Sequence, residues 1–302
     1  KYVPAFWGAI IIPAFVVLLM FAQPFIGKSE KGHRFNIGFL WCLLIGAGAL
    51  TFLAFSEDRA NKKHFAAVEE ADWLAKRVVE IADKQGIPPS GAVTLLREDH
   101  ENRARRLFSS NCASCHLYNG HDGRGFPVDS NQSAPDLAGV ASREWLEELL
   151  DYDHYVSTKY FGGTAFKDGK MATKVLKKFD EEEKALVPKV AALLSDIAGL
   201  PYQKPLSEKD REEGFDVFFD ELGCIDCHDI EDEDEGSAPD LTGYGSRDWL
   251  TAIVGDPSHE RFYGKDNDRM PSFARDEKLT DEEIGILVDW LRSKPSTNYE
   301  VR

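Results

Sequence analysis

The chain has 302 residues, 43% of them hydrophobic and 29% charged, and its formal net charge is −16. That length holds about two domains of roughly 100–150 residues, with some left over. So much acidity excludes nucleic acid, whose phosphates would be repelled, and favours a basic protein partner, although solubility alone accounts for most of the carboxylates.

The charge is unevenly spread. Residues 1–60 contain five Lys/Arg (Lys1, Lys28, Lys31, Arg34, Arg59) and three acids (Glu30, Glu57, Asp58), so the acidity belongs to the rest of the chain. Within this head, Val3–Ile26 carries no charge in 24 positions and Phe35–Phe55 none in 21. Helices of those lengths rise about 32–36 Å, enough to cross a hydrocarbon core of about 30 Å. Two transmembrane helices are therefore expected in residues 1–60. A secretory signal would have a shorter apolar core. Pro4, Pro13 and Pro24 are breaks that membrane helices tolerate where neighbours satisfy the backbone. Lys28, Lys31 and Arg34 in the connecting GKSEKGHR put that loop on the cytoplasmic side, and everything after residue 60 on the opposite face. Cys42, alone in the second span, reads as a small packing residue.

Residues 61–100 read as a helical linker, with a helix expected over Ala66–Lys84 and a break at GIPPSG, Gly86–Gly91. The segment is not Gly/Ser-rich, so it is a stiff spacer rather than a tether.

Beyond the linker the sequence repeats, over residues 101–203 and 204–302. Cys112-Ala-Ser-Cys115-His116 and Cys224-Ile-Asp-Cys227-His228 are both C-x-x-C-H, the attachment sequence of c-type haem. Two thiols on one short helical turn can reach the two vinyl groups of a porphyrin, and the adjacent imidazole can ligate its iron. A thioredoxin-like redox pair would need a βαβ context, and none is visible. Four Cys and two His could also bind zinc, but the motifs lie 112 residues apart, each with its own flanking repeat. Two covalently bound haem c groups are the expected cofactors, attached on the non-cytoplasmic face.

Each motif is followed by the pentapeptide SAPDL, at Ser133–Leu137 and Ser237–Leu241. SREWL (Ser142–Leu146) and SRDWL (Ser246–Leu250) come next, each with a Ser N-cap, an acid in the first turn and an apolar pair. His154 and His259 follow, then one methionine per repeat, Met171 and Met270. Asp180 with Glu183, and Thr280 with Glu283, form capping boxes that open a terminal amphipathic helix. The expected fold is all-α: two transmembrane helices, then two tandem domains that resemble cytochrome c-type domains.

The repeats differ in one interval. Ser133 lies 17 positions after His116, but Ser237 only nine after His228. The extra loop, Leu117–Gln132, carries Tyr118, His121 and Arg124; it covers a haem edge, meets a partner, or is plain surface. The acidic run Glu231–Glu235 after the second motif is a docking patch or a solvated face; screening limits any steering to about 8 Å.

Both repeats resemble small class I cytochrome c domains. The resemblance implies a methionine as sixth iron ligand in each. Met270-Pro271-Ser272-Phe273 is similar to the cytochrome c ligand loop. Met171 is followed by Ala172, and His154 is its rival for the first haem. The metal ligands are thus expected to be His116, Met171, His228 and Met270. A Met/His pair raises the potential relative to bis-His ligation. The resemblance also gives Pro135 and Pro239 a role: their carbonyls accept the axial imidazole N–H, which fixes ring orientation and ligand basicity.

The head resembles the last two helices of cytochrome b subunit IV in cytochrome bc complexes, and the remainder the dihaem cytochrome c extension fused there in certain bacterial complexes. This implies an electron-transfer subunit of a quinol:cytochrome c oxidoreductase in a bacterial cytoplasmic membrane, its haem domains on the periplasmic side. Its partners would be membrane lipid, a cytochrome b subunit, a Rieske iron–sulfur protein, and a basic soluble cytochrome or terminal oxidase. The quinol-site signature Pro-Glu-Trp-Tyr is absent, either because other chains supply it or because the native chain extends further at its N-terminus. No pair of membrane histidines suits haem b, since His33 lies in the loop, and no catalytic residue is assigned. The alternative is the dihaem subunit of a cbb-type oxidase. A dihaem peroxidase would need an open sixth site, whereas each repeat here supplies a methionine.

Overall fold

The computed structural model describes residues 10–128, 132–230, 236–267 and 269–295, and the chain divides into two units, Lys1–Phe65 and Ala66–Arg302. The acidic run Glu231–Glu235 lies outside the described residues.

In the first unit, α1 spans Ile12–Ile26 with Pro13 in its first turn, at a position whose N–H has no partner within the helix anyway. After the turn Gly27–Ser29 comes α2, Glu30–Ala60, of 31 residues. The Ser29 hydroxyl accepts from the Gly32 amide at 3.1 Å, and Asn36 Nδ2 donates to the Gln23 carbonyl at 3.0 Å, pinning the two helices beside the turn. The expected basic loop is therefore shorter than GKSEKGHR: Ser29 starts a helix early, so Lys31, His33 and Arg34 ride on α2. This helix is long and apolar enough to cross a membrane, its most apolar 18-residue stretch having a mean hydropathy of 2.1. The helix α1 is apolar but has only 15 residues, and the start of the expected Val3–Ile26 span falls outside the described residues.

Helices make up the second unit; among the described residues there is no β-strand, only isolated bridges from Tyr118 to His121 and Asp122. The linker helix α3 runs Lys62–Gln85, a few residues longer than expected. Glu70 on its inner face is buried and accepts from Arg105 Nη2 at 2.8 Å and Arg124 Nε at 2.9 Å. The Arg105 guanidinium lies 3.8 Å from the Trp73 ring centroid, and Arg77 grips Asp99 with two bonds of 3.1 and 2.7 Å. These contacts dock α3 on the first repeat, where its composition implied only a stiff spacer.

Next come α4 (Ala92–Glu98) and α5 (His100–Asn111), whose N-cap is Asp99. The first repeat continues with α6 (Arg143–Leu149), the single turn α7 (Tyr152–Tyr155) and α8 (Glu181–Ala198). The second has α9 (Glu208–Asp216), α10 (Arg247–Gly255) and α11 (Asp281–Leu291). Both capping boxes form, at Asp180/Glu183 and Thr280/Glu283, and Ser142 and Ser246 cap α6 and α10.

The packing of these helices crosses between repeats. The short helices stay at home, α6 on α8 and α10 on α11. The opening helices do not: α5 packs on α11, and α9 on α8. Trp290 of α11 stacks on Tyr118 at 4.2 Å and meets Phe108 of α5 edge-on at 5.5 Å. Arg103 pairs with Glu282 across the same contact at 2.7 Å. One buried cluster accordingly runs from Phe108 through Leu193 and Phe218 to Leu287 and Trp290. The boundary expected between residues 203 and 204 falls in the turn joining α8 to α9.

The repeats also meet at Gly245, which has φ +68°. A Cβ there would come within 2.5 Å of the Ala141 Cβ and 2.9 Å of the Ala198 Cβ. Beside it, the Arg292 guanidinium donates to the carbonyls of Ala198 and Gly199 at 2.9 Å each, and to that of Gly245. The first two are carbonyls left open at the end of α8, so the second repeat finishes the first repeat's helix.

Candidate functional site

Each C-x-x-C-H sits on one helical turn, the first directly at the end of α5 and the second eight residues beyond the end of α9. His116 N–H donates to the Cys112 carbonyl at 2.8 Å and His228 N–H to that of Cys224 at 3.0 Å, and Cys224, Cys227 and His228 line one cleft. All four cysteines are free and half-buried. Burial pushes the Cys112 thiol up to about 12 and the Cys224 thiol up to about 11.

The imidazoles are oriented alike. His116 Nδ1 lies 2.7 Å from the Pro135 carbonyl and His228 Nδ1 2.8 Å from that of Pro239. A carbonyl can only accept, so Nδ1 carries the proton in both rings. Burial lowers both histidine pKa values, with the proline carbonyl opposing in part. Each ring is then neutral near pH 7 and keeps its lone pair on Nε2, the form a metal ligand requires.

SAPDL holds the proline in place through the same backbone bonds in both repeats. Asp136 N–H donates to the Lys159 carbonyl at 2.8 Å and Asp240 N–H to that of Arg261 at 2.9 Å. Leu137 N–H reaches the Leu117 carbonyl at 2.9 Å, and Leu241 N–H that of Asp229 at 2.8 Å. The tryptophans complete this frame, and sequence reading missed their polar ends. Trp145 Nε1 donates to the Asp136 carbonyl at 2.9 Å, and Trp249 Nε1 to that of Asp240 at 3.0 Å. The signal was there: both tryptophans lie nine residues after the aspartate whose carbonyl they meet. A Trp145→Phe chain should lose about 1–3 kcal/mol, since a buried acceptor is stranded, read as a lower urea midpoint at unchanged slope.

The unequal loops change what the aspartate carboxylates hold. Asp136 accepts from the Asn119 and Gly120 amides of the longer loop at 2.9 and 2.8 Å. Asp240, without that loop, takes Arg261 Nε at 2.7 Å instead. The residues expected to mark the extra loop as cover, contact or plain surface turn inward. Tyr118 stacks on Trp290, Arg124 bonds Glu70, and the buried His121 Nδ1 accepts from the Gly123 and Gly125 amides at 3.0 and 3.2 Å. The loop thus ties the linker helix and α11 to the first motif.

The two methionines sit in different settings. Met270 lies on an irregular loop: its carbonyl accepts from Asn267 Nδ2 at 2.9 Å, and the buried Ser272 hydroxyl donates to Asp256 at 2.7 Å. That hydroxyl, then the Ser258 amide and Arg275, hold the Asp256 carboxyl below the usual carboxylate range against the opposing effect of burial. Asp256→Asn is expected to loosen the loop, seen as faster amide exchange over residues 269–279. Because the folded carboxyl has the lower pKa, its contribution is present above about pH 4 and fades as pH falls through the folded value. Met171, with no proline after it, instead starts a wide helical turn, Met171–Val175.

Met171 lines a cleft with Cys224, Cys227 and His228, walled by Phe179 and Val190. Its enclosed space is about 120 Å³, below the range of about 300–1,000 Å³ of formed cofactor pockets, so the fit rests on the donor set rather than on volume. The donors fit haem c: two thiols one turn apart, a neutral imidazole with Nε2 available, and a thioether, all against an apolar wall. His154, the rival ligand, is exposed and bonded to Asp151 at 3.0 Å. Among the described residues no group of three or more His, Cys, Asp or Glu is placed to hold a metal ion, which gives the zinc reading no support.

The cytochrome c family model matches the chain twice, over residues 102–188 and 212–295, together more than half its length. No curated protein and no solved structure matches it.

Proposed function

From the premise that this chain belongs to the cytochrome c family, we propose that it is a membrane-anchored dihaem electron-transfer subunit of a quinol:cytochrome c oxidoreductase. It takes electrons from a Rieske iron–sulfur protein and passes them to a basic soluble cytochrome or a terminal oxidase. Haem c, covalently bound, supplies the one-electron redox chemistry. The chain's residues do the rest. Cys112, Cys115, Cys224 and Cys227 provide the attachment thiols, and His116 and His228 present Nε2. Pro135 and Pro239 fix those rings, and Met171 and Met270 offer thioethers that favour a higher potential than a second histidine would.

The observation that carries the two-haem reading is the duplicated frame: C-x-x-C-H, proline carbonyl on Nδ1, tryptophan on the following carbonyl. The placement in a bc complex is supported by the apolar head, with α2 long enough to anchor the chain outside the cytoplasm. An acidic body supports the basic acceptor. The test is purification of the native complex with subunit identification and optical and paramagnetic spectra. Haem b and a Rieske signal should accompany two haem c per chain. Copper with haem b and no iron–sulfur signal would replace this reading with the cbb-type oxidase subunit.

A further inference from the structure

The helix packing that joins the repeats bears on which methionine serves which haem. Met171 belongs to the first repeat by sequence, yet the cleft it lines is that of the second motif, with Cys224, Cys227 and His228. Val175 and Phe179, next along the chain, wall the same cleft. This follows from the exchanged opening helices. The second motif stands at the end of the segment begun by α9, and α9 lies on α8, the helix that the Met171 segment leads into. The first motif ends α5, and α5 lies on α11, the helix that follows the Met270 loop. Leu107 of α5 packs into the cluster of Trp249, Phe273 and Val288 that also takes Met270.

We propose that the axial methionines are exchanged between the repeats: Met171 is the partner of His228, and Met270 the partner of His116. Each haem is then enclosed by both repeats, with cysteines and histidine from one and thioether from the other. This pairing rests on the reading that both motifs carry haem. It replaces the pairing within each repeat that chain order alone implies. Each methionine therefore tunes the haem whose cysteines lie in the other repeat.

The test uses the full chain, matured with haem and purified in detergent, in two single-attachment forms. With Cys112→Ser and Cys115→Ser, haem remains only on the second motif. Adding Met171→His should then abolish the near-infrared sulfur-to-iron band of the ferric protein, and Met270→His should leave it. With Cys224→Ser and Cys227→Ser the two outcomes should be reversed. Loss of the band on Met270→His in the first form would overturn the pairing. A wild-type chain with no covalent haem would overturn the haem reading itself, and the pairing with it. A second measurement needs no haem. In an Arg103→Lys chain, carbodiimide should couple residue 103 to Glu282, its ion-pair neighbour on α11. Coupling to Glu182, the counterpart on α8, would show closed repeats and reject the exchange.

Discussion

A Glu70→Ala chain is expected to lose about 3–5 kcal/mol of stability in the unit Ala66–Arg302. One buried carboxylate there holds two guanidiniums, Arg105 at 2.8 Å and Arg124 at 2.9 Å, and Arg105 has only 4% of its side chain exposed. Removing Glu70 takes away the carboxylate that bonds this buried cation. Because Arg105 also donates to the Gly123 carbonyl at 3.0 Å, the loss spreads into the loop beside the first motif. Glu70→Gln should cost less, since an amide oxygen can still accept one bond. Urea unfolding of the detergent-solubilised full chain reads the size, and hydrogen exchange over Ala66–Gln85 reads whether the linker helix has come away. A loss below about 1 kcal/mol would mean that the guanidiniums rehydrate and that the bridge is structurally idle.

Gly245→Ala should be comparably damaging, at about 2–5 kcal/mol. Two separate causes add there. The left-handed backbone at φ +68° disfavours any side chain by about 1–2 kcal/mol, and the new methyl would overlap those of Ala141 and Ala198, an overpacking worth about 1–3 kcal/mol. The matched control is Gly243→Ala. Its φ is similar, at +66°, but its nearest neighbour is the Ser246 hydroxyl at 3.5 Å, so it should show the backbone cost alone. Equal midpoints for the two variants would remove the steric part.

The sequence disclosed what chemistry acts over three or four residues. Both C-x-x-C-H turns, the Ser142 and Ser246 caps and the two capping boxes are local hydrogen-bond patterns, and all form as their spacing implies. Pro135 and Pro239 were placed by resemblance, at 19 and 11 residues from their histidines, farther than local rules reach. Glu70 was illegible for a different reason. A lone Glu on an amphipathic helix reads as solvated, and its partner Arg105 is 35 residues away. The helix exchange was hidden more deeply. Because α5 resembles α9 and α8 resembles α11, the apolar pattern dictates that an opening helix lies on a terminal one. It does not say which copy. The junction at Gly245 and Arg292 helps to decide that, and neither residue belongs to any motif.

The pairing of α5 with α11 also constrains how the protein is made. Arg103 and Glu282, joined across that contact, are 179 residues apart. Contacts of such separation form late, because a long loop must close before they stabilise anything. The first motif is therefore made well before the helix that packs beside it, and waits as an open chain end until the second repeat follows. A haem attached at that stage would meet Cys112 and Cys115 before α11 has packed on α5. A chain truncated before Asp281 should accordingly accept haem on the first motif yet fail to close around it.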